Sequence, residues 1–120
     1  MNTALWIAEV LLAAIFLTTG TVKLTQPRLK MAAGPMRWAG DVTDAQFRTI
    51  GALEVLAALG LILAAALDAP ILETLAAIGL VLTMIGAIAT HVRYGETERV
   101  AVPALLLVVS VFVAIAAQAV

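Results

Sequence analysis

The sequence contains no cysteine. Disulfides, thiolate-held metals and thiol redox chemistry by this chain alone are therefore excluded. Charge is almost as scarce: 12% of the 120 residues are charged and the net charge is -1. No basic stripe is present, so no nucleic-acid partner is expected. There is a single histidine, hence no bis-histidine pair, and no second strong ligand beside it, so no metal site is expected. CxxC and flavin fingerprints are also missing, so electron transfer would need a partner protein or a bound quinone. No proline lies deep in an apolar run, which argues against the broken helices of many transporters. The opening residues, Met1-Asn2-Thr3-Ala4, carry no Lys or Arg. The first apolar run is thus read as a retained helix and not a secretory signal, with cleavage after Ala14 as the lesser alternative.

What remains is apolar. Hydrophobic residues make up 63% of the chain, and the mean hydropathy is +1.10. A soluble domain is about half apolar and about a quarter charged, and a small one buries the smallest share of its surface. The solvent must be lipid. Spanning helices need roughly 20 mostly apolar residues, and four windows qualify, at about 4–24, 45–67, 71–92 and 101–119. The expectation is an all-α membrane four-helix bundle with up-down topology, forming a single transmembrane domain over 1–120.

Local chemistry marks the breaks. Gln26-Pro27 stops the first helix, because proline blocks continuation and disfavours the helical region before it. Thr43 with Gln46 reads as a capping box for the second. Asp68-Ala69-Pro70 is a tight turn, with Pro70 suited to a first helical turn and Glu73 complementing the dipole. Tyr94-Gly95 closes the third helix, and Pro103 sits in the first turn of the fourth.

All seven basic residues fall at one end. Lys23, Arg28, Lys30, Arg37 and Arg48 flank the first loop, and Arg93 and Arg99 the last. Basic loops stay cytoplasmic, so both termini are expected outside a cell membrane crossed four times. The loop at about 27–44 interleaves Met31, Met36, Trp38 and Phe47 with Arg37 and Arg48. It reads as an interfacial connector lying on the membrane, with a lid or docking surface as the functional alternative. Gly79, Thr83, Gly86 and Thr90 form a stripe at helical spacing, read as a helix contact seam.

Ionisable residues inside spans are costly, about 2.5–3.5 kcal/mol each at a helix centre, and each needs a reason. Glu54 lies about eight residues, or about 12 Å, inside its helix, too deep to reach water easily. It must be protonated or paired. Lys23 and His91 are its expected partners from similar depth, and Thr19, one turn before Lys23, is a hydroxyl donor. Lys23 or Arg93 alone would snorkel, and His91 alone would be an ordinary hydrogen-bonded histidine. Glu9 shares a stripe with Ala13, Phe16, Gly20 and Lys23 that is expected to face the bundle interior. Glu9 itself is expected near water at the outer surface, within reach of Gln118. The candidate ligand-binding or polar-cluster residues are thus Glu54, Lys23, His91 and Thr19, with Glu9 and Arg93 secondary. A structural clasp that fixes helix register would use the same residues, and no catalytic residue is assigned.

Three segments carry a family resemblance: AAIFLTTGTVKL (13–24), IGALEVLAALGLIL (50–63) and GLVLTMIGAIATHVRYGE (79–96). In order and spacing, and in the placing of Gly20, Lys23, Glu54 and His91, the chain resembles the DoxX-like family of small four-helix membrane proteins. The resemblance implies an accessory or quinone/lipid-interacting component of a membrane redox system. The family takes its name from a small subunit associated with a terminal quinol oxidase. Related members look like membrane partners in thiosulfate:quinone oxidation and in oxidative-stress complexes. It offers no agreed catalytic residues. Two other readings stand beside it. One is a hydrophobic small-molecule or lipid binding or transport protein. The other is a stand-alone membrane enzyme using Glu54 as acid or base. Lipid, quinone, a redox partner protein and a homo-oligomer are the contemplated associations.

Overall fold

The computed structural model describes residues 3–119, with side chains through Gln118; Met1, Asn2 and Val120 lie outside the described residues. Four long helices dominate: α1 (Thr3–Thr25), α3 (Asp44–Leu67), α4 (Pro70–Arg93) and α5 (Ala101–Ala119). A short helix α2 (Arg28–Ala32) and 3-10 turns at Arg37–Asp41 and Thr97–Arg99 fill the two connections at the end rich in basic residues, called the inner end as a label only. The breaks follow from the sequence. Pro27 is extended at the N-cap of α2. Thr43 caps α3 in a full capping box, its hydroxyl accepting from the Gln46 amide at 3.1 Å and its own amide donating to the Gln46 side chain at 2.9 Å. Asp68 takes the left-handed conformation (φ 50°) that ends α3, and Pro70 is the first residue of α4. Aspartate tolerates that conformation better than most residues.

Gly95 ends α4 with φ 68°. Its amide bonds to the Val92 carbonyl at 3.1 Å, and the Glu96 amide to the His91 carbonyl at 2.8 Å. This paired 5→2 and 6→1 closure is a Schellman turn, and it folds Glu96 back beside His91.

The long helices form a closed up-down ring, α1–α3–α4–α5 and back to α1. The pairs α1/α3 and α4/α5 pack over most of their length. Gly20 and Gly51 make the first pair possible: a Cβ on Gly20 would lie 2.7 Å from the Gly51 carbonyl oxygen, and one on Gly51 would lie 2.7 Å from the Lys23 Cβ. Close backbone approach at small residues is how helices associate where lipid removes the hydrophobic drive. Buried positions recur every three or four residues. Leu5, Leu12, Phe16, Ala58, Leu61, Leu80 and Val113 fill the core. The outer faces expose a continuous set of Leu, Ile and Val side chains. Each long helix is long and apolar enough to cross a membrane. A helix of 24 residues reaches about 36 Å against a hydrocarbon core of about 30 Å. The protein is a small multi-pass integral membrane protein.

The Gly79–Thr90 stripe departs from its expected role. A Cβ added at Gly79 or Gly86 would meet nothing within 4 Å, so the stripe is no contact seam. At the outer end α3 and α4 touch, a Cβ on Gly60 lying 3.3 Å from that of Ala76. Toward the inner end they part, and Thr83, Gly86 and Thr90 border a cavity.

Candidate functional site

That cavity, about 590 Å3, occupies the inner half of the bundle and is walled by all four long helices and the 27–44 loop. Its lining is mainly apolar; Lys23, Glu54 and His91 are its ionisable side chains, and Thr19, Thr83 and Thr90 add hydroxyls. All four primary sequence candidates therefore border one space.

Glu54 is 4% exposed and lies ten residues into α3, about 15 Å along the axis. Its Oε1 pairs with Lys23 Nζ at 2.7 Å, and its Oε2 accepts a hydrogen bond from the Thr19 hydroxyl. Lys23 is 7% exposed. It points inward and does not snorkel, although it stands in the last turn of α1. The Gly20–Gly51 crossing is the cause: one turn from it on each helix, Lys23 and Glu54 are drawn within contact. With both oxygens engaged, Glu54 is less a free base than a counter-ion that orients the Lys23 ammonium. Of that ammonium's three N–H donors, Glu54 takes one.

His91 does not pair with Glu54 as expected. Its Nδ1 lies 3.1 Å from Glu96 Oε1, because the Gly95 turn brings Glu96 back over the helix end. Glu96 is itself buried and is approached by Arg37 at 3.8 Å and Arg99 at 3.9 Å. The same cluster ties the two inner loops together. Arg99 donates to the Pro35 carbonyl at 2.8 Å. Tyr94 donates to Asp41, and the Arg37 guanidinium sits 5.9 Å from the Tyr94 ring centre. Arg28 bonds to Asp44 at 2.9 Å and to the Ala39 carbonyl at 2.8 Å. Trp38 rests on Phe47 with ring centres 5.7 Å apart. The loop thus folds over the bundle end, and Pro35, Met36, Trp38 and Val42 roof the cavity. The hydrogen bond to Asp41 pushes the Tyr94 phenol above its ordinary range, with the Asp41 charge adding and Arg93 and Arg37 opposing.

The secondary candidates lie elsewhere. Arg93 is exposed at the end of α4 and does not line the cavity. Glu9 is not near water: it is 3% exposed, and both carboxyl oxygens are buried without a hydrogen-bond partner among the described residues. Gln118 bonds to Thr74 at 2.7 Å instead. The stripe of α1 that carries Glu9 is covered by the rest of the bundle, and Glu9 borders a separate hollow of about 230 Å3 between α1 and α3. Sequence reasoning missed Glu96, Tyr94 and Asp41. The signal for Glu96 was present in Gly95: a left-handed C-terminal closure returns the following residue to the last turn.

No curated protein and no solved structure matches the chain significantly. One family model does match, over residues 7–113, a stretch that runs from the second turn of α1 into α5 and includes every residue of the cavity. With Lys23, Glu54 and His91 all inside that match, the chain belongs to the DoxX-like family.

Proposed function

We propose that the protein binds a lipid-soluble molecule with a polar head, of quinone type, and serves a membrane redox system as an accessory component. The supporting observation is the Lys23–Glu54 pair, buried at membrane depth on the wall of a largely apolar cavity of about 590 Å3. Ligand pockets of small molecules span about 300–1,000 Å3 with a few placed polar groups. The polar groups here are already paired, so the cavity suits a neutral head and not an anion. Lys23 keeps N–H donors to offer a carbonyl. His91 faces a carboxylate through Nδ1, so that nitrogen carries the hydrogen of the contact, and in the neutral imidazole Nε2 is an acceptor for a hydroxyl. A donor and an acceptor on one wall suit both the carbonyl and the hydroxyl form of a quinone. The chain supplies no electron carrier, so electrons pass between the ligand and a partner protein.

Removing both charges together separates binding from clasping. Replacing a buried ion pair by apolar residues of similar volume is often neutral or stabilising, whereas removing one partner costs about 3–5 kcal/mol. Lys23→Met combined with Glu54→Leu is therefore expected to fold like the wild type. Native mass spectrometry of protein extracted with its own lipids then reads the ligand. The expected outcome is an amphiphile on the wild type and none on the double variant. Equal retention by both would leave the pair as a structural clasp only. Glu54→Gln is expected to weaken binding more than it lowers stability.

The seven basic residues at the inner end support a cytoplasmic placing of both inner loops. Because the chain has no cysteine, single cysteines report this cleanly. In intact cells a membrane-impermeant maleimide should label Asp68→Cys and spare Glu98→Cys; the reverse pattern would invert the orientation.

A further inference from the structure

Part of the α4 wall of the cavity is bare backbone, at Gly86. On α4, Gly79, Thr83 and Gly86 lie on the flank that faces α3, the flank on which Ala76 meets Gly60 further out. A Cβ at Gly79 or Gly86 would find open space. Across from them, Leu53 of α3 lines the cavity and is also 58% exposed. One residue thus borders both the cavity and the bundle's lipid-facing surface, and Gly86, itself exposed, does the same from the other side. The helices are joined at the outer end by the Asp68–Ala69 turn and held there by the Gly60–Ala76 contact. Their divergence is confined to the half that contains Lys23 and Glu54.

An open apolar cleft at this depth faces hydrocarbon. A second edge of the cavity, at Ile15 of α1, is less exposed and carries a full side chain.

We propose that the cleft between α3 and α4, bounded by Leu53, Thr83 and Gly86, seats the hydrocarbon chain of the cavity's ligand and is its passage from the bilayer. The inference rests on the reading of the cavity as the site of a polar-headed molecule, and it narrows the ligand class. The ligand is an amphiphile whose head reaches Lys23 and whose chain leaves sideways into the lipid. A polar metabolite arriving through the roofing loop is excluded by it. The glycines serve the cleft by absence of bulk: a chain lies against backbone where an alanine or leucine would stand.

The test uses two probes, a methyl-substituted dimethoxybenzoquinone and its decyl-chain counterpart. Quenching of Trp38 in the roof reads binding, in a Trp6→Phe background so that one tryptophan reports, with the protein in lipid nanodiscs. In that background the decyl compound should bind about tenfold or more tightly than the bare head, since each buried methylene adds to affinity. Gly86→Leu puts bulk into the cleft from a position where a Cβ meets nothing within 4 Å. It should abolish that advantage, so that the two probes bind alike. Ile15→Phe, at the other edge, adds bulk without adding a tryptophan and should leave the advantage of the decyl compound in place. If Gly86→Leu binds the decyl compound as the parent does, or if Ile15→Phe is the change that removes the advantage, the cleft is not the passage. If neither probe binds the parent protein, it is the quinone-type reading of the cavity that fails, and this inference falls with it.

Discussion

Glu9 and Tyr94 illustrate how differently two polar side chains can be held. Glu9 is enclosed by the bundle with neither carboxyl oxygen partnered among the described residues. An unsatisfied buried polar group costs about 1–3 kcal/mol, and an apolar residue of the same shape removes that cost. Glu9→Met is therefore expected to stabilise the protein by about 1–3 kcal/mol, measured by thermal unfolding in detergent. A loss of stability would mean that the carboxyl holds a partner in the membrane. Tyr94, the one tyrosine of the chain, is raised above its ordinary value near 10 by Asp41. The raised folded value means that the contribution of this contact is complete below the unfolded phenol's range and is lost as pH climbs through the folded one. Absorbance of the phenolate should show Tyr94 ionising later than a free tyrosine, and Asp41→Asn should move the transition back to lower pH. Coincident titration of the two proteins would remove Asp41 as the cause.

At the scale of the helices, the same substitution has opposite signs at two glycines. At Gly51 a Cβ would lie 2.8 Å from the Gly20 carbonyl oxygen, an atom of the backbone that cannot turn aside. Gly51→Ala should separate α1 from α3 and cost about 1–3 kcal/mol, lengthening the Lys23–Glu54 pair as it does so. At Gly79 nothing lies within 4 Å, and Gly79→Ala should gain up to about 1 kcal/mol from helix propensity. Unfolding curves of the two variants check both, and a stable Gly51→Ala would deny the crossing its tightness. This contrast also marks what a sequence can disclose. The long helices were legible from hydropathy, and their caps from Thr43, Gln46, Pro70 and Gly95. The pairing of Glu54 with Lys23 was legible from the cost of burying a carboxylate. That the glycines of α4 face a gap was not, because the gap depends on the tilt between two helices and no residue on either encodes it alone. Likewise the burial of Glu9 depends on how the other helices cover α1, and the choice of Glu96 over Glu54 by His91 depends on the direction in which the chain leaves the Gly95 turn.

For the molecule as a whole, the inner face is a network of loops joined through one buried carboxylate. Glu96 meets His91, which lines the cavity, and Arg37 and Arg99, which hold the roof. Glu96→Gln should weaken all three contacts at once. Amide exchange over residues 33–42 is then expected to quicken by about tenfold while exchange in the core of α1 and α3 stays slow. Unchanged exchange would show that Trp38 on Phe47 is enough to hold the roof.

The turn between α3 and α4 has a mechanical consequence. Two residues, Asp68 and Ala69, connect helices of 24 residues each, and the nearby Gly60–Ala76 contact keeps that corner together. Such a corner works as the pin of a pair of tweezers. With arms of about 36 Å, a rotation of about 5° at the pin carries the far tips apart by about 3 Å. The tight crossing of α1 with α3 and the long contact of α4 with α5 stiffen each arm, and the contact of α5 with α1 that closes the ring limits the opening. A small angular change at the outer surface is thereby magnified into a change of width beside Lys23 and Glu54.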